Sequence, residues 1–473
     1  MPITLSAALR LAGTSNLDIA QSREVVRRAR IQLQRARILL LPNVNFGSTY
    51  VDHDGQIQRA QGDVFTADRN SLFVGLGPSA SVHLGDAVFA PLVARQLERA
   101  SEAGLQRVHN DTLLAIAEAY FTLMRGQRRL ARAELTLDML TSEKPSAIRA
   151  GSKGLLPLIT AMQKAGAAEA FKSEVYRVEV DVLRRREERA TALQEYQVAS
   201  AELARLLRLS PDMSLWPVED FRAPLDISGP WTDQSFEAMV RIALSNRPEL
   251  AENQAQVQAA VERVRAARYR PLIPNLIVNY TFGGFGGGPS PNPIAVIRDG
   301  KSIVGGPASV IGNFGSRADF DVGLMWRLQN LGLGNRAEIR EQQSLERQAN
   351  LRQLQLQDTV VAQVVQTREQ IKASKDRVNQ IRSALYDASG KPVGPLFEST
   401  RLNFERIRQV EKTRPLEVLD SLRRLADLLE LHAQAATDYE RARFRLLVVL
   451  GLPAEEIISR AAVPVPGLVP KAK

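Results

Sequence analysis

The chain of 473 residues contains no cysteine, only four histidines and 5% aromatic residues. The missing cysteine excludes a disulfide framework, a thiolate metal site and a lipid-carrying N-terminal cysteine. The histidines show no metal-ligand spacing, so we expect neither a metal nor another cofactor. No apolar run reaches the length of about 18 residues that a membrane-spanning helix needs. The start at Met1 shows no basic and apolar signal segment. On their own, these absences predict a soluble, helical protein.

The net charge of +10 raises the question of a nucleic-acid partner. The positive residues are interleaved with Glu and Gln, as in the run from Arg184 to Arg189. Few aromatic side chains are present to stack on bases. Solvated helix faces account for this charge pattern better, so no nucleic-acid partner is expected.

The sequence repeats itself at a shift of about 231 residues. Residues 8–12 match 239–243, and 42–44 match 274–276. The two halves also end alike, each in an apolar run that is followed closely by a proline. We therefore predict two structural repeats at 3–211 and 234–453, a linker at 212–233 and a Pro-rich tail at 454–473.

Each repeat shows the same order of patterns. A helical stretch of about 35 residues comes first and stops at a proline, which lacks the N–H donor that a helix needs. Two strand-like runs with a Gly-rich loop between them follow, and then a very long helical hairpin. Its first arm has apolar residues at strict sevens with small residues between them, a pattern typical of close helix packing. The seam consists of Ile116, Ala119, Leu123, Gly126, Leu130, Ala133, Leu137 and Leu140.

Three runs alternate between apolar and polar residues with the period of a β-strand, and 71–84 is a weaker fourth. These runs are 43–50, 275–282 and 319–329, and we expect loops at 52–70 and 284–317. The predicted apolar faces consist of Val44, Phe46 and Tyr50; Leu276, Val278, Tyr280 and Phe282; and Phe320, Val322, Leu324 and Trp326. Such faces fit either a half-buried sheet or lipid-facing barrel strands.

Two interpretations of these strands remain open. A soluble α+β sheet would need another element to cover its apolar face. We expect the apolar seams of the long helices to pack against other helices, so these helices do not supply that cover. Four strands cannot close a membrane barrel, whose smallest form has eight, but several copies of the chain could close one together. A coiled-coil scaffold explains the helices and leaves the strands unexplained.

Signals for an enzyme are weak. The segment Gly300-Lys301-Ser302 has Ala295 where a phosphate loop needs a glycine. The Gly-rich stretch 283–288 is typical of a loop, and no nucleophile elbow is present. We therefore expect no catalytic activity.

The residue patterns resemble the outer-membrane efflux protein family, the TolC-like exit ducts. Segments that carry the resemblance are 5–9, Asn246–Leu250, Ala117–Phe121 and 416–420, together with a helix that ends at Pro-Asn before a strand in both repeats. The resemblance covers the chain from about 3 to 453. It implies a mainly α-helical chain with a β-barrel part, in which a homotrimer closes twelve strands and an α-helical tunnel.

The resemblance also implies a function and partners. The chain would be a passive conduit in the bacterial outer membrane, in contact with lipid, with its helical part in the periplasm. An inner-membrane pump and a periplasmic adaptor would deliver the substrate. The adaptor would meet the hairpin tips near 151–157 and 409–415. The implied tip residues are Gly151, Gly154, Leu155, Arg414, Pro415 and Leu416. Asp420 falls where family members close the tunnel, but the match assigns no gate residue.

The chain departs from this family at three points. No signal segment is visible, and the lipidated cysteine of many relatives is impossible in a chain that has no cysteine. The second tip has Lys412-Thr413-Arg414-Pro415 where the family commonly has an Arg-containing turn with glycine. A scaffold or interaction protein outside the membrane is therefore kept as the alternative function.

Overall fold

A computed structural model of the chain describes residues 1–58, 60–146, 149, 151–164, 172–219, 234–287, 295–298, 301–304, 312–387, 394–409 and 415–452. Within these residues the α-helices are α1 (Leu5–Ser15), α2 (Leu17–Arg37), α3 (Leu84–Thr141), α4 (Leu155–Lys164), α5 (Lys172–Leu206), α6 (Phe236–Asn246), α7 (Pro248–Tyr269), α8 (Leu333–Leu385), α9 (Pro395–Gln409) and α10 (Pro415–Val449). The strands are β1 (Pro2–Ile3), β2 (Asn43–Gln58), β3 (Val64–His83), β4 (Trp216–Pro217), β5 (Asn275–Gly287), β6 (Ala295–Arg298), β7 (Lys301–Val304) and β8 (Gly312–Met325).

The same order of elements occurs in both halves of the chain. Two short helices lead to two long strands, and three further helices follow. Each half begins at a hydroxyl N-cap: Thr4 Oγ1 accepts a hydrogen bond from the Ala7 N–H, and Ser235 Oγ accepts one from the Ala238 N–H. Such caps satisfy N–H groups that have no partner within the helix.

The helical stretch predicted at the start of each half consists of two helices. Asn16 separates α1 from α2, and its Oδ1 accepts the N–H groups of Asp18 and Ile19 at 2.8 and 3.3 Å. Arg247 separates α6 from α7, which begins at Pro248. Proline is favoured at a first helical position because its missing N–H has no partner there in any case.

The chain divides into two compact units. One consists of 1–25, 102–252 and 353–473, and the other of 26–101 and 253–352. The first unit is helical, and its larger apolar core joins residues of α1, α3, α5, α6, α8 and α10. A second core in this unit surrounds the ends of α3 and α8 and includes Leu140, Leu155, Leu385, Phe404 and Val418. The predicted seam residues Ile116, Leu123 and Ala133 are fully buried.

The second unit carries a four-stranded sheet in the order β2-β3-β5-β8, in which every neighbouring pair is antiparallel. β6 and β7 form a separate antiparallel pair. The strands are longer than the sequence predicts: β2 and β3 pair as far as Gln58 and Val64. The prediction of loops at 52–70 and 284–317 is therefore wrong over much of both ranges. Polar and glycine residues there hide the two-residue alternation.

Candidate functional site

The register of the sheet brings the predicted apolar residues to one face. In an antiparallel sheet, directly paired residues point to the same side. Phe46 pairs with Leu76, which pairs with Phe282, and Tyr280 pairs with Phe320. Leu276 pairs with Leu324, and Val278 with Val322, so the apolar residues of β5 and β8 share this face.

This apolar face is open. Phe46 is 86% exposed and Phe320 is 69% exposed. Val44, Tyr50, Tyr280, Phe282, Val322 and Leu324 are also exposed, while Leu276 and Val278 are half-buried. Contiguous exposed apolar surface of this kind marks a site of contact with another protein or a membrane.

The opposite face of the sheet carries polar pairs between β5 and β8, together with the apolar residues Phe73, Ile277 and Phe285. Asn279 pairs with Asp321, and Thr281 pairs with Asp319. The Arg317 Nε donates to Asp319 Oδ2 at 2.8 Å, and the Arg317 guanidinium also lies 4.8 Å from the centre of the Phe285 ring. One surface of the sheet is thus suited to an apolar environment, and the other is the more polar of the two.

Trp326 differs from the other predicted face residues. The strand β8 ends at Met325, so the predicted strand to Gln329 is four residues too long. The Trp326 indole N–H donates to the Leu272 carbonyl at 3.3 Å, and the side chain lies at the margin of the sheet. The alternation of apolar residues continues past Met325 in the sequence, but the chain turns there instead of pairing.

Two turns in the helical unit close on a glycine. After α3, the Gly154 N–H donates to the Ser142 carbonyl at 2.7 Å. After α8, the Gly394 N–H donates to the Leu385 carbonyl at 3.1 Å. A Cβ atom at Gly154 would lie 2.8 Å from the carbonyl carbon of Leu140, and one at Gly394 would lie 2.6 Å from that of Leu385. No side chain fits at either position, which explains the glycines.

The predicted tip residues divide between different places. Gly151, Gly154 and Leu155 lie at the turn that follows the long helix α3. Pro415 and Leu416 begin α10, one helix beyond the equivalent turn after α8. Arg414 lies outside the described residues. Whether any of these residues contacts an adaptor stays a prediction.

Arg149 was not identified from the sequence, although it holds the first turn together. Its side chain is 2% exposed, and its guanidinium donates to the Asp138 carboxylate at 2.6 Å and to the Lys144 carbonyl at 2.6 Å. A third bond reaches the Asp138 carbonyl at 3.2 Å. A cation at this position stabilises the C-terminal end of α3, where backbone carbonyls lack partners. The one sequence signal is an arginine within a Ser-, Pro- and Gly-containing segment.

A charged cluster lies where α3 faces α5 and α10. The guanidinium of Arg129 contacts the carboxylates of Glu195 and Glu430, and Arg132 lies 3.5 Å from Glu430. These groups are half-buried, and they tie three helices to one another.

Among the described residues, no group of three or more His, Asp or Glu side chains could hold a metal ion. None of the described helices is long and apolar enough to cross a membrane.

Comparison with solved structures identifies the fold. A membrane protein from Pseudomonas aeruginosa aligns with a TM-score of 0.70 at 19% identity, over 94% of this chain and 93% of that one. The outer-membrane channel OprN aligns with a TM-score of 0.69 at 17% identity, over 94% and 89%. CusC, whose crystal structures concern folding and transmembrane channel formation, aligns with a TM-score of 0.69 at 17% identity, over 95% of this chain and 92% of that one. No protein-family model and no curated protein matches the sequence. Over nearly its whole length, the chain has the TolC-like fold that these membrane proteins share.

Proposed function

We propose that this chain is the outer-membrane exit duct of a tripartite export system and acts as a passive conduit without catalysis. The sheet would lie in the outer membrane and the helices in the periplasm. One observation carries the proposal: the register of four strands places the predicted apolar residues of β2, β5 and β8 on one largely exposed face and the polar pairs of β5 and β8 on the other. A lipid-exposed face with a polar lumen behind it is the arrangement of a membrane barrel.

The edges of the sheet support closure by several copies. Within the described residues, β2 and β8 each pair on one side only, and they are 16 and 14 residues long. Unpaired backbone groups are too costly to leave in hydrocarbon, so these edges need partners. Because β2 and β8 run in opposite directions, β8 of one copy can pair antiparallel with β2 of the next. Three copies would close twelve strands, which is our proposal for the homotrimer.

The function is tested by adjacent substitutions on opposite faces of β8. We expect Val322→Arg to destabilise assembly by roughly 2–4 kcal/mol at mid-bilayer depth. Asp321→Arg, one residue away on the polar face, should assemble normally. Trimer bands from outer-membrane fractions on semi-native gels measure both. Equal assembly of the two variants, or recovery of the parent chain in the aqueous fraction, contradicts the proposal and favours a scaffold outside the membrane.

The partners are an inner-membrane pump and a periplasmic adaptor, and we propose that the adaptor contacts the turn at Gly151, Gly154 and Leu155. Pro415 and Leu416 remain a second proposed contact, with Arg414 beside them in the sequence. The chain has no cysteine, so single cysteines can be placed at Lys153 and Leu416 for cross-linking in cells. Ser344 on α8, outside the helical unit, is the control position. Adaptor cross-links at neither test position would exclude both contacts.

A further inference from the structure

The connection from β8 to α8 contains a strained turn. Three successive residues have left-handed backbone angles: Asn330 at φ 48°, Leu331 at φ 57° and Gly332 at φ 88°. Glycine and asparagine tolerate this region, whereas leucine avoids it because its Cβ approaches the following carbonyl. Strain of this kind persists where the surrounding structure enforces it, and it is found at functional positions.

Contacts on both sides hold this turn in place. The Gln329 N–H donates to Oδ1 of the buried Asn335 at 2.9 Å. Gly334 approaches Gln329 so closely that a Cβ there would lie 3.0 Å from the Gln329 Cβ and 3.2 Å from its carbonyl oxygen. The result is that Leu331 is 98% exposed. In water, the exposed Leu331 side chain gains no burial that would offset the strain of its backbone.

Leu331 belongs to a larger apolar surface at the same end of the sheet. We define the junction belt as residues 38–41, Leu272, Trp326, Leu328, Leu331 and Leu333, all of which are exposed. His83 pairs with Asn275, which pairs with Met325, so β3 ends, β5 begins and β8 ends at one level. The four apolar residues 38–41 precede β2 at this end as well. The belt continues the open apolar face of the sheet.

The polar groups beside the belt indicate what covers it. Arg37 and Arg327 adjoin belt residues in the sequence, Arg336 follows Leu333 by three residues, and all three arginines are exposed. The neighbouring acids Asp86 and Glu338 are both paired with Arg270, Asp86 at 2.9 Å. The leucines of the belt match the acyl chains of a membrane interface, and the Trp326 indole, whose N–H is bonded, is of the kind found at that level. The arginines match the headgroups, because the nearby acids are paired with Arg270.

We propose that the junction belt seats in the interfacial layer of an anionic phospholipid leaflet, with Leu331 in the acyl region and the arginines at the phosphate level. This inference rests on the proposed function and adds to it a lipid contact outside the strands. A second copy of the chain is the competing occupant. The three exposed arginines favour a surface of negative headgroups over an identical cationic surface.

The test uses single cysteines in this cysteine-free chain, at Leu331, Phe320 and Ser344. Each carries a nitroxide, and the full chain is reconstituted in phosphatidylcholine vesicles with and without phosphatidylglycerol. Collision rates with oxygen and with a water-soluble nickel complex report depth. We expect the Phe320 label at depth, the Leu331 label at a shallow lipid position, and the Ser344 label in water. Phosphatidylglycerol should make the Leu331 position deeper and leave Phe320 unchanged.

Each other outcome has a defined meaning. A Leu331 label in water, with Phe320 in lipid, overturns the inference and leaves the proposed function standing. A Leu331 label shielded from both reagents shows a protein contact and also overturns it. Both labels in water reject the inference and the proposed function together. No response to phosphatidylglycerol rejects the anionic headgroup contact.

A substitution gives a second readout. Leu331→Gly fits the left-handed turn and removes the apolar side chain, so the chain should fold while inserting about tenfold less into phosphatidylglycerol-containing vesicles, as expected for the loss of one buried leucine. Leu351→Gln, at an exposed leucine on α8, is the matched control and should insert normally. Equal insertion of both variants would overturn the inference.

Discussion

Arg128 on α3 and Glu440 on α10 form a two-point ion pair inside the helical unit. Arg128 Nη2 lies 2.6 Å from Glu440 Oε1, and Nη1 lies 3.0 Å from Oε2. The two side chains are 3% and 0% exposed. Nη1 also donates to Thr437 Oγ1 at 3.0 Å. Because both charges are out of water, each depends on the other for compensation.

Breaking this pair on one side should strongly destabilise the helical unit. We expect Glu440→Gln to lower the free energy of unfolding by roughly 3–5 kcal/mol, since the Arg128 guanidinium stays buried after it loses the Glu440 carboxylate. Replacing both residues, by Arg128→Met and Glu440→Leu, should lower it much less. Denaturant unfolding followed by circular dichroism measures both variants.

The matched control is an exposed pair on α5. Arg205 Nη2 and Glu202 Oε1 lie 2.6 Å apart, and the two side chains are 65% and 51% exposed. Arg205→Ala should change stability far less than Glu440→Gln does, because water screens the pair. A double variant of Arg128 and Glu440 that is as unstable as Glu440→Gln would show that lost packing, and not the lost carboxylate charge, causes the destabilisation.

His432 predicts a dependence of stability on acid. Burial, followed by the charges of Arg128 and Arg382, lowers the pKa of His432 from 6.5 to about 4. His432 is therefore protonated below pH 6.5 in the unfolded chain, but only below about pH 4 in the folded chain. The contribution of the neutral His432 to the free energy of unfolding is fully present above pH 6.5 and is lost as the pH falls toward 4. The loss is on the order of 2–3 kcal/mol.

The pH dependence of His432 can be separated from that of the carboxylates by a variant. His432 Nε2 has no hydrogen-bond partner, so His432→Leu removes the titration without leaving a donor unpaired. Thermal midpoints between pH 7 and 4 should fall less steeply for the variant than for the parent. Parallel curves would mean that His432 is protonated equally in the folded and unfolded chain.

The faces of the strands could be predicted from the sequence because alternation depends only on neighbouring residues. Val44, Phe46, Tyr280 and Phe320 share one face as that pattern indicates. Whether this face contacts lipid stays a prediction. The far ends of β2 and β3 could not be predicted, since Asp52, His53 and Gly55 break the alternation. Backbone pairing, which the sequence pattern does not record, extends these strands.

Contacts between distant segments were not predictable in this way. Arg128 and Glu440 each look like a charge on a solvated helix, and only the packing of α3 against α10 shows that both are buried. The second turn, by contrast, could have been found. Gly390, Pro392, Gly394 and Pro395 form the turn-forming cluster that the sequence offers after α8.

The closing glycines of the two turns should not tolerate a side chain. At Gly154, an added Cβ meets backbone atoms of Leu140 and Ser142 at 2.8 Å, and these cannot move as a flexible side chain would. We expect Gly154→Ala and Gly394→Ala each to lower the free energy of unfolding by roughly 1–3 kcal/mol. Gly104→Ala on α3 meets only the Glu252 carboxylate at 3.4 Å, and it should raise stability by about 0.5–1 kcal/mol. Unfolding midpoints should be lower than the parent's for Gly154→Ala and Gly394→Ala and higher for Gly104→Ala. A higher midpoint for Gly154→Ala would contradict the prediction.

The ends of α5 and α10 offer the last prediction. Arg208 and Gly451 follow these helices in the same left-handed conformation, at φ 57° and 69°. The residue after each closes the helix in the same way, with the Leu209 N–H bonded to the Ala204 carbonyl and the Leu452 N–H to the Leu447 carbonyl. Arginine is strained in this conformation and glycine is not, so Arg208→Gly should raise stability by up to about 1 kcal/mol.

Gly451→Ala should have the opposite effect at the equivalent position. Its Cβ would lie 2.7 Å from the carbonyl carbon and oxygen of Asn246, and the left-handed angle adds strain. We expect a loss of roughly 1–3 kcal/mol. Denaturant midpoints of the two single variants and of the double variant distinguish these effects. Since the two caps lie at different helix ends, the changes should add in the double variant within about 0.5 kcal/mol. A larger deviation would show that the two ends are energetically coupled.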